Sequence, residues 1–155
     1  MPGTSLVNQL DSATGLETSQ KSTSNAAWVQ VQGTLELPVG AVALNSSSGN
    51  VAAGSAVATF PAVAAKTNFV TGFEITGGGA TGAALVVATL VGLLGGTASY
   101  IVAAVAGATL GNTPLVVQFS KAMPASAVNV ALVLTLPSLG VGNTNAAVSM
   151  HGYLL

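Results

Sequence analysis

The sequence predicts an all-β protein: a single antiparallel β-sandwich or jelly-roll-like domain over residues 26–155, preceded by an extended N-terminal arm over residues 1–25. Three observations predict it. Apolar residues alternate with period two rather than 3.6, clusters of Gly, Pro, Asn and Ser punctuate the chain at short intervals, and β-branched residues crowd the runs between them. A chain of 155 residues has room for one domain of ordinary size.

The arm is rich in Ser, Thr, Gln and Gly, and its segment 19–25 is almost wholly polar, as expected of an extended or flexible stretch. Within it Leu6, Val7 and Leu10 form a small apolar patch, the chain's candidate partner-docking residues; a frayed terminus is the alternative. Strands are expected at 28–37, 41–44, 57–60, 68–76, 84–93, 98–104, 115–120, 127–136 and 146–154. The clearest alternation puts Phe69, Thr71, Phe73 and Ile75 on one side of a strand and Val70, Gly72, Glu74 and Thr76 on the other. Val128, Val130, Leu132, Leu134 and Leu136 share a face in the same way, as do Leu115, Val117 and Phe119. Turn signals separate the runs, among them Pro38-Val39-Gly40, Gly77-Gly78-Gly79, Gly95-Gly96 and Asn112-Thr113-Pro114. The Ala-rich stretch 84–104 also admits a helix, but its glycines and β-branched residues favour strands. No fixed-period repeat points to a solenoid or propeller.

Half the residues are hydrophobic and the mean hydropathy is +0.71, yet only 5% are aromatic, so the core is assembled from small Ala, Val and Leu side chains. Only 5% are charged, against about 25% in ordinary soluble domains. The solvent face must be made of Ser, Thr, Asn, Gln and Gly, or be covered by other protein, and the second need points to a homo-oligomer. Lys21, Lys66 and Lys121 are the only Lys or Arg residues, too few and too scattered to neutralise a phosphate backbone, so no nucleic-acid partner is expected. The uncharged stretch 77–114 has the hydropathy of a membrane span, but Gly92, Gly95 and Gly96 interrupt it and no basic or Trp flank anchors it, so no membrane partner is expected. The start of the chain has neither the basic residues nor the apolar run of a secretory signal.

No catalytic, cofactor-binding or metal-ligating set emerges. With no Cys and one His, neither a disulfide framework nor a soft-ligand metal site is expected, and no clustered acidic loop suits calcium. Gly77, Gly79 and Gly82 have the spacing of a dinucleotide fingerprint, but no Asp or Glu follows Glu74 to hold a ribose, so a glycine-rich hairpin turn is the preferred reading. His151 falls on the same side of the last strand as Ser149 and Tyr153; as a catalytic base it needs a carboxylate that only folding brings near, and a structural imidazole is preferred. Paired carboxylates for glycoside hydrolysis would have to come from Asp11, Glu17, Glu36 and Glu74, two of them in the arm. Asn45-Ser46-Ser47 matches a glycosylation acceptor, a pattern that polar loops match by chance. Trp28 and Tyr153 are candidate sugar-stacking residues, with core or interface packing the competing role.

The strings at 67–81 (TNFVTGFEITGGGAT), 113–117 (TPLVV) and 142–147 (GNTNAA), with the ending His151-Gly152-Tyr153, resemble short structural proteins of tailed bacteriophages, over roughly residues 61–155. The resemblance is one of texture and carries no catalytic motif. It implies a virion component on the capsid exterior: a non-enzymatic decoration or cement protein, often a homotrimer, whose arm reaches onto the major capsid protein. A tail, fibre or head-spike component and a carbohydrate-binding sandwich are the alternatives.

Overall fold

A computed structural model describes residues 7–11, 16–22, 28–33, 37–107 and 109–155. The chain divides into two compact units, 1–41 and 42–155. In the first, β1 (Val7–Asp11), β2 (Leu16–Ser22) and β3 (Trp28–Gly33) form an antiparallel sheet in the order β1-β2-β3. Val7 pairs with Gln20, Leu10 with Glu17, and Ser22 with Trp28. Of the three docking candidates, Val7 and Leu10 lie on β1, and Leu6 lies outside the described residues. Two strands thus occupy the stretch expected to be an arm, and of the strand expected at 28–37 the described part is β3, paired with β2, residues 34–36 lying outside the described residues.

The second unit holds β4 (Val42–Ser47), β5 (Ala56–Phe60), β6 (Asn68–Gly78), β7 (Ala84–Leu93), β8 (Gly96–Ala104), β9 (Leu115–Pro124), β10 (Leu132–Leu136) and β11 (Asn145–Leu154). They form two four-stranded antiparallel sheets, β5-β10-β7-β8 and β4-β11-β6-β9. The order has a simple origin. β7 pairs with β8, β6 with β9, β5 with β10 and β4 with β11, so the unit is one long antiparallel ribbon folded over on itself, with successive pairs falling alternately in the two sheets. That winding is the jelly roll.

Alternation builds the core. Ala56, Ala58 and Phe60 of β5, Leu132, Leu134 and Leu136 of β10, Ala88 and Leu90 of β7, and Val102 and Ala104 of β8 point inward from one sheet. Val70, Phe73 and Ile75 of β6 with Ala146, Val148 and Met150 of β11 meet them from the other. The Phe73 ring meets Tyr100 edge-on at 4.8 Å, and Phe119 lies 6.1 Å from it. The membrane-like stretch 77–114 is thereby spent on the end of β6 and on β7 and β8, and among the described residues no helix is long and apolar enough to cross a membrane.

Two expected patterns differ. The inward set of β6 switches from even to odd positions at Thr71: Val70 is buried before it, Phe73 and Ile75 after it. A β-bulge is the reason. Along β11, His151 pairs with Gly72 and Gly152 with Val70, leaving Thr71 as the extra residue, so Phe69 and Phe73 do not share a face. The other difference is at 127–131, where the expected strand is a turn, with Asn129 at φ 60° and its amide bound to the Lys66 carbonyl at 2.8 Å. Val128 is 58% exposed there, whereas Val130 still packs against the core beside Leu132, Leu134 and Leu136, and the strand itself begins only at Leu132.

Two buried asparagines tie the loops. Asn68 Nδ2 donates to the carbonyls of Pro61 and Val130, both at 2.9 Å. Asn143 Nδ2 donates to those of Gly78 and Asn145, at 3.0 and 2.8 Å.

Candidate functional site

The outer faces of the jelly roll's two sheets have opposite character. On β4-β11-β6-β9 the residues alternating with the buried set are mostly polar: Asn45 and Ser47 on β4, Ser149 and His151 on β11, Thr71, Glu74 and Thr76 on β6, and Gln118 on β9, with Val116 of β9 (55% exposed), Ala43 and Ala147 the apolar exceptions. Register brings them into rows. Ser149 stands opposite Ser47 on one side and Glu74 on the other, and His151 stands opposite Asn45 and Gly72. His151 Nε2 lies 4.0 Å from Glu74 Oε1, with both side chains well exposed. Thr71, the bulge residue, donates its hydroxyl to the His151 carbonyl at 3.1 Å.

Folding therefore does bring a carboxylate to the single histidine, and a serine stands on the same face. A nucleophilic triad also requires the serine hydroxyl bound to the imidazole and a donor pair for the developing oxyanion. Ser149 Oγ instead donates to Ser47 Oγ at 3.2 Å. The group lies on an open sheet surface, where water competes for every polar contact and an ion pair contributes about 0–1 kcal/mol.

The glycine motif turns out to be a close backbone crossing. After Gly79 the chain runs on to β7 with no helix, so the helix N-terminus a pyrophosphate needs is missing from this place. Gly78 forms a bridge with Gly111, and Gly79 N–H donates to the Leu110 carbonyl at 3.0 Å. A Cβ on Gly78 would stand 2.6 Å from the Leu110 oxygen, so the missing side chain makes room for protein backbone. An open cavity of about 320 Å³ lies beside it, its lining including Gly77, Gly78, Gly111, Thr76, Asn50 and Asn145.

Of the two stacking candidates, Tyr153 is 9% exposed, its ring lying on Phe69 at 4.8 Å and 13°, so that face is already taken by protein. Trp28 opens β3. Among the described residues no group of three His, Cys, Asp or Glu is placed to hold a metal ion.

The outer face of β5-β10-β7-β8 is the unusual one. No residue of these four strands is Asp, Glu, Lys, Arg or His. The second unit's Glu74 and Lys121 sit on the other sheet, on β6 and β9, and Lys66 lies in the loop before β6. Outward from β7 point Leu85, Val87, Thr89 and Val91, with Ser99, Ile101 and Ala103 beside them on β8. Leu85 is 74% exposed, Ile101 71%, Val87 47% and Val57 of β5 43%. Leu85 pairs with Ala103 and Val87 with Ile101, which makes the aliphatic patch contiguous. β8 is one of the two edges of this sheet among the described residues, β5 being the other, and it carries no Lys or Pro to discourage pairing. Sequence reading missed this surface because apolar residues alternating at period two look the same whether the other face is solvent or protein.

Compared with protein families, curated proteins and solved structures, the chain matches none.

Proposed function

We propose that this chain is a non-enzymatic structural component of a tailed-bacteriophage virion, a decoration or cement protein that self-associates and binds the capsid exterior. One observation carries the proposal: an entire four-stranded sheet without a charge, whose outer face presents Leu85, Val87, Val57 and Ile101 to solvent. Contiguous exposed aliphatic surface on a folded domain marks a place where other protein docks. The sequence strings at 67–81 and 142–147 add the resemblance to phage structural proteins. The jelly roll is a fold that capsid proteins and lectins both use, so it is compatible with the proposal without selecting it.

Immunogold labelling of virions of the encoding phage with antibody against this chain tests it. Label over the heads is the expected result. Label confined to the tail would select the tail, fibre or spike alternative, and unlabelled virions would sink the virion reading. Glycan binding remains a second reading because the face carrying Asn45, Ser47, Ser149, His151 and Gln118 offers hydroxyl, amide and imidazole groups on an open platform. A glycan array showing no binding disposes of it.

A further inference from the structure

We infer that the outer face of the β5-β10-β7-β8 sheet is an interface between two copies of this chain, packed sheet against sheet; this rests on the self-association proposed above and names the surface that performs it.

Three properties of the face select a second copy as its occupant. The first is the absence of charge. A partner presenting Lys, Arg, Asp or Glu would strip those groups of water and find no counter-charge on these four strands, a loss of several kcal/mol per buried ion. The partner must be as uncharged as the face itself, and the same face on another molecule meets that condition.

The second is pattern. Along β7 the outward residues run Leu85, Val87, Thr89, Val91. Thr89 stands in a row with Ser99 of β8, Thr135 of β10 and Val57 of β5, so a band bearing three hydroxyls crosses the sheet with aliphatic residues on both sides. A two-fold axis along this band lays hydroxyl on hydroxyl and Val87 of one copy over Val91 of the other. Two-fold contacts require this kind of self-complementarity, because each copy presents the same patch. Such a contact gives a dimer, where the family resemblance implies a trimer.

The third is area. Leu85, Val87, Val91, Ile101 and Val57, with Val105 just beyond β8, expose on the order of 600 Å², and the adjoining Thr59, Ser99 and Ala103 bring the face close to the roughly 800 Å² that each partner contributes to a standard interface. Sheets packed face to face stand about 10 Å apart with their side chains interdigitated, an arrangement that Val, Ile and Thr suit.

The test is the absolute mass of the full chain by light scattering across a concentration series, for the wild type, Val87→Lys and Ile101→Lys, with Thr76→Lys on the polar outer face of the opposite sheet as control. All three sites point away from the core, and far-UV circular dichroism identifies any variant that fails to fold. The expected result is a wild type and control at twice the 15.0 kDa chain mass and folded Lys variants at the chain mass. Lys variants that keep the wild-type mass would overturn this interface while leaving self-association standing. A wild type that is monomeric throughout would overturn both, and dissociation of the control would overturn the assignment to this face. The two-fold has its own readout: the chain has no cysteine, so Thr89→Cys with a short bismaleimide should cross-link two copies and Thr76→Cys should not. The reverse pattern would overturn the axis.

Discussion

Asn68 and Gly92 do work in this fold that their residue types alone do not announce. Asn68 is 1% exposed and bridges the Pro61 and Val130 carbonyls, so Asn68→Ala leaves two part-buried acceptors without their donor. Urea unfolding should show a loss of about 1–3 kcal/mol. Gly92 sits at φ +90°, and a Cβ there would run into the Ala131 carbonyl oxygen, so Gly92→Ala should cost at least the ~1–3 kcal/mol of a strained left-handed residue, read by the same titration. Tyr100 has its hydroxyl pKa raised by burial. A raised pKa in the folded state means stability present below the unfolded value of about 10 and lost as pH rises through the folded one. The wild type should therefore lose melting temperature above about pH 10, and Tyr100→Phe should lose less of it over the same interval. His151 and Glu74, at 4.0 Å and exposed, form the weak kind of pair, and His151→Ala should shift stability by less than about 1 kcal/mol in thermal melts.

At the scale of elements, strand existence was legible and strand phase was not always so. The stretch expected at 84–93 is β7 to the residue, because period-two alternation and the flanking glycines act locally. β6 was expected to carry Phe69 and Phe73 on one face. The bulge at Thr71 separates them, and a bulge is visible only in the pairing of three strands, β6 with β11 and β9. β10 illustrates the same limit: Val128 and Val130 continue the alternation of Leu132, Leu134 and Leu136, yet the chain turns at Asn129 to meet the Lys66 carbonyl. Leu134 is fully buried at the centre of that strand, and Leu134→Ala should lose about 2–5 kcal/mol by cavity formation, measurable by urea unfolding.

For the molecule as a whole, residues far apart in sequence close the fold: Val42 pairs with Leu154 and Ser47 with Ser149. The docking role expected of Leu6, Val7 and Leu10 is a whole-molecule claim too. A chain lacking the residues before Ala26 should lose capsid attachment in a co-sedimentation assay while keeping its self-association, since the latter is assigned to the outer face of the β5-β10-β7-β8 sheet. Attachment that survives the deletion would refute the role of the N-terminal segment.

The sequence by itself determined the all-β class, nearly every strand of the jelly roll, the small-residue core and the shortage of charge, because alternation, turn chemistry and composition are local properties written residue by residue. Tertiary structure alone decided that Glu74 meets His151 across β6 and β11, that Gly78 yields to the backbone at Leu110, and that the scarce charges of the second unit fall outside one sheet. Those facts depend on which strands become neighbours. That choice is made when the long ribbon folds over to bury its apolar face, and no single segment encodes it.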